Sequence, residues 1–418
     1  MARFYPDFVA AYLEHTRVRE APEIAHLWAA FWTVAGALRR NVWYDAGGFD
    51  WTPNIYAVLT GPPGVIQKST TAGVGHRLLA HVPGVVFGPD SATWHGMIQR
   101  FNSAEATVDT ARGPAKISPM SMSVSELGSF LKLTQEGLDS FLIEMFDGQV
   151  RAHRWEHLTQ THGSVGVWNG ALNLIGCTTL GWLRENVPAS ALETGVISRI
   201  MFVYADQKRE LISVPKLDPR WSTKASRDRE AKLIDDLIDI GRLRGPFELA
   251  PDAYEWQDQW YRRFGDARSE ALVSERFDVY RSRRQTYAFK IAMILAAARN
   301  HHPTIRVEDI RDAVAHLERL DSGVARIFET IGGPAEAQHV REVVAAVRRA
   351  SAEGPVTFGH LLRLLGGVMS HDEVALAIRA AVTQGTLRSA STEERDHTGK
   401  LLPGLILAKP RKPKEEDS

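Results

Sequence analysis

The stretch Asn54 to Val82, NIYAVLTGPPGVIQKSTTAGVGHRLLAHV, constrains this chain more than any other. Asn54 to Thr60 is an apolar run bounded by Pro53 and Gly61, which reads as a buried strand. It passes through a glycine- and proline-rich turn into a helix expected from Ser69. Such a loop turns backbone N–H groups inward at a helix N-terminus and so cradles phosphate. Lys68 would reach the β- and γ-phosphates, and the Ser69 hydroxyl would face Mg²⁺. Gly61, Pro62, Pro63, Gly64, Gln67, Lys68, Ser69 and Thr70 are therefore the expected ligands of ATP. The spacing departs from the usual Gly, four residues, Gly-Lys-Ser/Thr. Gln67 stands where a glycine ordinarily precedes the lysine. Either Gln67 takes an unusual backbone angle or the loop is one residue wider. The alternative is a strand–turn–helix corner that merely contains Lys-Ser.

Three further stretches bear on that choice. MSMSVSE reads as a strand ending at Val124, followed by Ser125 and Glu126. An acid there can orient an attacking water, so Glu126 is the expected catalytic acid and shares the metal site with Ser69. Ser125 replaces the aspartate usual before it, which shifts metal ligation onto Ser69. Glu126 is otherwise a solvated acid opening the next helix. In LNLIGCTTLGWL the strand ends at Cys177, Thr178 and Thr179; Thr178 either senses the γ-phosphate or caps a helix. In TGVISRIMFVY, Arg199 opens an otherwise apolar strand and wants an anion. It is either a finger onto the next subunit's phosphate, worth roughly 10³ to 10⁵ in rate in other NTPases, or half of an internal ion pair.

Strands alternate with helices from Asn54 to about Asp206, which argues a doubly wound parallel sheet. GVVFGPDSATWHGMIQRF reads as strand, turn and helix with Ser91 or Thr93 as N-cap, and SAEATVDTARGPAK as a polar loop. Two helices precede the sheet. Residues 225–330 are charged and helical in period, and Gly332, Gly333 and Pro334 mark a boundary. Three helices and a hairpin follow, the order of a winged helix-turn-helix. The expected organisation is α/β: a helical region over 1–52, a P-loop NTPase core of the RecA or AAA+ kind over 53–210, a helical domain over 211–333, a winged-helix domain over 334–410 and a disordered tail over 411–418.

PNIYAVLTGPPGVIQKST, SVSELGSFL, FDG at Phe146 to Gly148, LNLIGCTTLGWL, GVISRIMFVY and AFKIAMILAAA together resemble a family of phage and mobile-element helicase-like ATPases, whose members often sit beside a primase-polymerase. Trp28 to Arg40 resembles that family's N-terminal helix. The resemblance runs over about residues 5 to 325. It implies an ATP-driven ring, a hexamer, acting as a replicative DNA helicase in a bacterial host, with a primase or polymerase as partner. It carries over Lys68 and Ser69 as phosphate and Mg²⁺ ligands, Glu126 as catalytic acid and Arg199 as arginine finger.

FDGQVRAHRWEHLTQTHGSVGVWNG reads as a hairpin. Arg151, Arg154 or His157 could track phosphates of single-stranded DNA there, and Trp155 could stack on a base; otherwise it is a surface hairpin packed on its neighbour. Fifty basic and fifty acidic residues cancel, so no whole-molecule field draws the chain to nucleic acid or membrane. The last 80 or so residues are nearly balanced in charge, and their basic residues gather at Lys409, Arg411, Lys412 and Lys414. That part equally suits a protein partner. One cysteine, Cys177, precludes an internal disulfide and fits a reducing cytoplasm. No signal-peptide pattern opens the sequence and no apolar run spans a bilayer. The competing functions are a DNA helicase, a non-helicase P-loop ATPase (a loader, packaging motor or defence switch) and a DNA-binding adaptor with a degenerate nucleotide fold.

Overall fold

The computed structural model describes residues 3–89, 94–110, 113–130, 137–148, 154–159, 163–187, 191–192, 195–218, 220, 223–266, 272, 274–332, 335–350, 356–367, 369–390 and 404–407. Side chains at 94–95, 109–110, 129, 157–159, 163–165, 223, 264–266, 276, 332, 335–338, 389–390 and 404–407 are also outside the description. The chain divides into two compact units, Met1–Ile331 and Gly332–Ser418.

The first unit opens with α1 (Phe8–His15), capped by the Asp7 carboxylate, and α2 (Glu23–Leu38). α2 is mostly apolar all round and is buried on every side from Ala25 to Leu38. A hairpin, β1 (Val42–Asp45) and β2 (Asp50–Trp51), leads to β3 (Tyr56–Thr60), all five residues of which are buried. Then come α3 (Lys68–Leu79), α4 (Trp94–Ser103), β4 (Ala106–Thr110), β5 (Gly113–Val124), α5 (Leu127–Phe130) and α6 (Leu138–Asp147). A hairpin of β6 (Arg154–Thr159) and β7 (Gly163–Trp168) precedes β8 (Gly170–Thr178), α7 (Leu180–Asn186) and β9 (Ile200–Tyr204).

The central sheet has the order β4-β5-β8-β3-β9. β5, β8, β3 and β9 are parallel, but β4 runs antiparallel to β5. The sheet is therefore mixed, not wholly parallel. The stretch expected as a polar loop, SAEATVDTARGPAK, instead supplies β4 and the first residues of β5. Its β-branched Thr107, Val108 and Thr110 sit opposite Lys116, Ala115 and Gly113, and Gly113 turns the chain with φ +103. The strand expected in GVVFGPD is reduced to one parallel bridge, Phe87 to Ser121. The proposed caps Ser91 and Thr93 lie outside the described residues.

α8 (Thr223–Ile240), β10 (Gly245–Pro246), β11 (Glu248–Leu249), α9 (Pro251–Asp266), α10 (Asp278–Arg281), α11 (Arg284–Arg299), β12 (Thr304–Ile305), α12 (Val307–Glu318) and α13 (Asp321–Gly332) complete the unit. One continuous apolar core runs from Phe8 to Ile331. The regions read as separate over 1–52, 53–210 and 211–333 thus share a single interior. α2 is fixed to the sheet by two reciprocal bonds: Trp32 Nε1 donates to Asn173 O at 3.1 Å, and Asn173 Nδ2 donates to Trp32 O at 2.9 Å. Close approach of α2 to α3 requires Gly75, where a Cβ would lie 2.3 Å from Thr33 Oγ1.

The second unit contains α14 (Ala335–Ala350), β13 (Val356–Thr357), α15 (Phe358–Leu365), α16 (His371–Thr383), β14 (Leu387–Ala390) and β15 (Gly404–Leu407). Its antiparallel sheet has the order β13-β15-β14. A core of its own includes Val343, Val347, Leu361, Val374 and Ala381. Ser370 and Glu373 form a capping box that starts α16. Residues 408–418, including Lys409, Arg411, Lys412 and Lys414, lie outside the described residues. Among the described residues no helix is long and apolar enough to cross a membrane.

Candidate functional site

The strand register places Gly61, Glu126 and Thr178 at one end of the sheet. Thr60 pairs with Thr178 on one side and Tyr204 on the other. Val124 pairs with Gly176, so Ser125 and Glu126 continue past the last pair toward the level of Thr178. Gly61 and its loop leave β3 at this same edge. Ligands of open α/β sheets bind at such carboxyl ends, beside strands whose connections diverge. Here the chain leaves β3 for β5 and returns to fill β8 between them.

The loop is built around two backbone requirements. At Gly61 a Cβ would stand 2.2 Å from Ala205 O and 2.7 Å from Ile66 Cδ1, so only glycine fits between β3 and the end of β9. Gly64 has φ +77. Pro62, Pro63 and Gly64 are exposed, while Ile66 is buried and anchors the loop's far side. Of the two ways to accommodate Gln67, the chain uses the unusual angle: φ 46, ψ 50, the left-handed region. α3 then begins at Lys68, with Thr71 N–H donating to Gln67 O at 2.9 Å and Thr71 Oγ1 to Ile66 O at 2.9 Å. No side chain caps α3. Its first N–H groups, with exposed Ser69 and Thr70 in the same turn, are the donors a helix start offers an anion.

Lys68 folds over the loop and donates from Nζ to Gly61 O at 3.0 Å. Partial burial lowers its pKa, against a smaller opposing influence of Cys177. Cys177 is buried, and burial pushes its thiol up to about 12, so it rests as a neutral thiol. Thr178 ends β8 and is buried. It is not the helix cap: that is Thr179, whose Oγ1 accepts from Trp182 N at 3.2 Å. Capping falls to the residue already outside the ladder, and Thr178 stays in register with Thr60. Ser125 and Glu126 are exposed immediately before α5.

Arg199 is elsewhere. It precedes β9 at the opposite end of the sheet, since Ile200 pairs with Tyr56. Its side chain is 4% exposed and grips Asp147 with Nε at 3.1 Å and with Nη2, while Nη1 donates to Gly195 O at 2.7 Å. The internal ion pair, not a free finger, is what this chain contains. The β6–β7 hairpin forms, with Arg154 opposite Trp168 and Thr159 opposite Gly163. Its Trp155 is half-buried and packs edge-on against Phe141, at the margin of the core, with centroids 4.9 Å apart. Arg154 lies over Trp168 and pairs with Glu156. Each therefore has partners within its own chain, and the Arg154 side chain stays 36% exposed. Arg151 and the His157 side chain lie outside the described residues.

Contacts that no motif marked also form around the loop. Glu20, from the α1–α2 connection, accepts from Gln67 Nε2 at 2.7 Å, Lys208 Nζ at 2.6 Å and Ile212 N at 3.0 Å. Lys208 above all, then the Ile212 N–H, holds its carboxyl below the ordinary range, with Gln67 assisting. Arg326 of α13 pairs with Asp206 at 2.9 Å and lies over Tyr204 at 4.7 Å. Spacing could not reveal these contacts, because each joins segments distant in sequence.

Among the described residues no group of three or more His, Cys, Asp or Glu is arranged to hold a metal ion by itself. Mg²⁺ needs no such group where phosphates supply ligands, as one protein oxygen with waters suffices. The exposed Ser69 hydroxyl in the first turn of α3 fits that role. Comparison of the sequence with protein-family models, and with characterised proteins, finds no match.

Proposed function

We propose that this chain is a P-loop nucleoside triphosphatase that hydrolyses ATP at the carboxyl end of its central sheet. The observation that carries the reading is the uncapped start of α3, beyond a glycine-dependent loop, in the same edge as Lys68, Glu126 and Thr178. Backbone N–H groups of the loop and of the first turn of α3 bind the phosphates. Lys68 exchanges Gly61 O for a phosphate oxygen, and its partial burial strengthens that attraction. Ser69 would hold Mg²⁺, which would supply charge neutralisation for the phosphates. Glu126 orients the attacking water, and Thr178 contacts the γ-phosphate from the neighbouring strand.

The family resemblance supports a finer reading: a ring-shaped motor that moves along single-stranded DNA, of RecA or AAA+ kind, with the second unit as a winged helix. The helix order and three-stranded antiparallel sheet of that unit support the latter. A second reading, an ATPase switch or loader without a motor's DNA path, is favoured by the engagement of Arg199 with Asp147 and of Trp155 with Phe141. ATP hydrolysis with and without single-stranded DNA separates them, using the wild type, Lys68→Ala and Glu126→Gln. Turnover that both substitutions abolish is expected, and stimulation by DNA selects the motor. No turnover by the wild type with any nucleoside triphosphate refutes the ATPase reading.

A further inference from the structure

We propose that Glu20 is a positioning residue for the phosphate loop: by holding the Gln67 amide it keeps Gln67 in the left-handed conformation that a glycine ordinarily supplies before the lysine. The inference rests on the ATP-site reading for its consequence, though not for the contact itself.

The left-handed region is disfavoured for residues with a Cβ, roughly tenfold or more for one like glutamine. Such a residue persists only where its surroundings over-determine it. Gln67 cannot relax without cost to the site. It precedes Lys68, and its carbonyl accepts the first bond that closes α3. Rotation at Gln67 would re-aim the N–H groups of Lys68, Ser69 and Thr70 together.

Glu20 is itself fixed. Besides Gln67 it holds Lys208 and the Ile212 N–H, and its backbone carbonyl accepts from Arg209 N at 2.9 Å. The carboxylate therefore offers Gln67 a stationary acceptor. The other described non-glycine residues with positive φ, Arg39 and Asn169, also make long-range side-chain bonds. Arg39 Nη2 donates to Gly241 O at 3.1 Å, and Asn169 Nδ2 donates to Lys116 O at 2.7 Å. In each case the side chain of a positive-φ residue is held by a bond distant in sequence.

The test is a cycle of four full-length proteins: wild type, Glu20→Ala, Gln67→Gly and the double variant. Glycine adopts the left-handed region without help, so Glu20 should cease to matter once Gly occupies position 67. Two quantities are read: amide hydrogen exchange over residues 62–71 without nucleotide, and Kd for Mg·ATP. Glu20→Ala is expected to speed exchange and to raise Kd about tenfold against the wild type. The same substitution should change neither quantity against Gln67→Gly. An undiminished Glu20→Ala effect in the glycine background overturns the proposal, because Glu20 would then act through Lys208 and Ile212. Exchange that Glu20→Ala leaves unchanged in the wild-type background overturns it too. A wild type that binds no nucleotide instead refutes the ATP reading, while the exchange cycle still decides whether the anchor exists.

Discussion

Replacing Arg199 by alanine separates an internal structural role from a role on a neighbouring subunit. Its guanidinium makes two contacts to Asp147 and one to Gly195 O. Hydrogen bonds to charged groups contribute about 1.5 to 3 kcal/mol each, but these cannot be summed. Asp147 is 36% exposed and regains water once the arginine is gone, and Gly195 O keeps its bond from Ser198 Oγ at 2.9 Å. We therefore expect Arg199→Ala to cost about 2 kcal/mol. Asp147→Ala should cost more, about 3 to 4 kcal/mol, because it strands a guanidinium that is only 4% exposed. That order, the carboxylate mattering more than the arginine, follows from the unequal burial of the partners. Denaturant titration followed by tryptophan fluorescence measures both. An Arg199→Ala protein with the wild-type midpoint and greatly reduced turnover would refute the reasoning, since the guanidinium would then act outside its own chain. So would a smaller cost for Asp147→Ala than for Arg199→Ala.

Gly61→Ala should destabilise the first unit by about 2 kcal/mol and abolish nucleotide binding, since its Cβ meets Ala205 O at 2.2 Å; an unchanged denaturation midpoint would contradict the close approach of β3 and β9. Trp155→Ala should cost about 2 kcal/mol of stability through lost packing on Phe141, so a loss of DNA affinity with an unaltered midpoint would restore Trp155 as a DNA contact. Lys290 is fully buried on α11, with Nζ bonded to Thr52 O, Asn54 Oδ1 and Phe146 O, and burial lowers its pKa from 10.5 to about 7. Between those values the unfolded chain binds a proton that the folded chain does not, so this group's contribution to stability rises as pH increases from 7 toward 10.5 and is lost as pH falls through 7. The stability of the wild type relative to Lys290→Met, measured at pH 6, 8 and 9.5, should climb accordingly; a flat difference would show that the three acceptors keep the ammonium charged throughout.

What was legible in the sequence was local. The largely apolar run of β3 required burial on both faces, and the loop's composition required a turn into a helix. Glycine marked both the close approach at Gly61 and the positive φ at Gly64, and Gly332-Gly333-Pro334 lies where the chain divides into two units. The β4–β5 hairpin was hidden because its polar, β-branched residues at a sheet edge carry little hydrophobic alternation. Tertiary structure alone decided who partners whom. Gln67 finds Glu20 across 47 residues, Arg199 finds Asp147 across 52, and Lys290 finds Asn54 across 236. A polar side chain announces its need for a partner through its type. Which partner answers depends on the packing of the large core that brings distant segments together, and no periodicity along the chain encodes that choice.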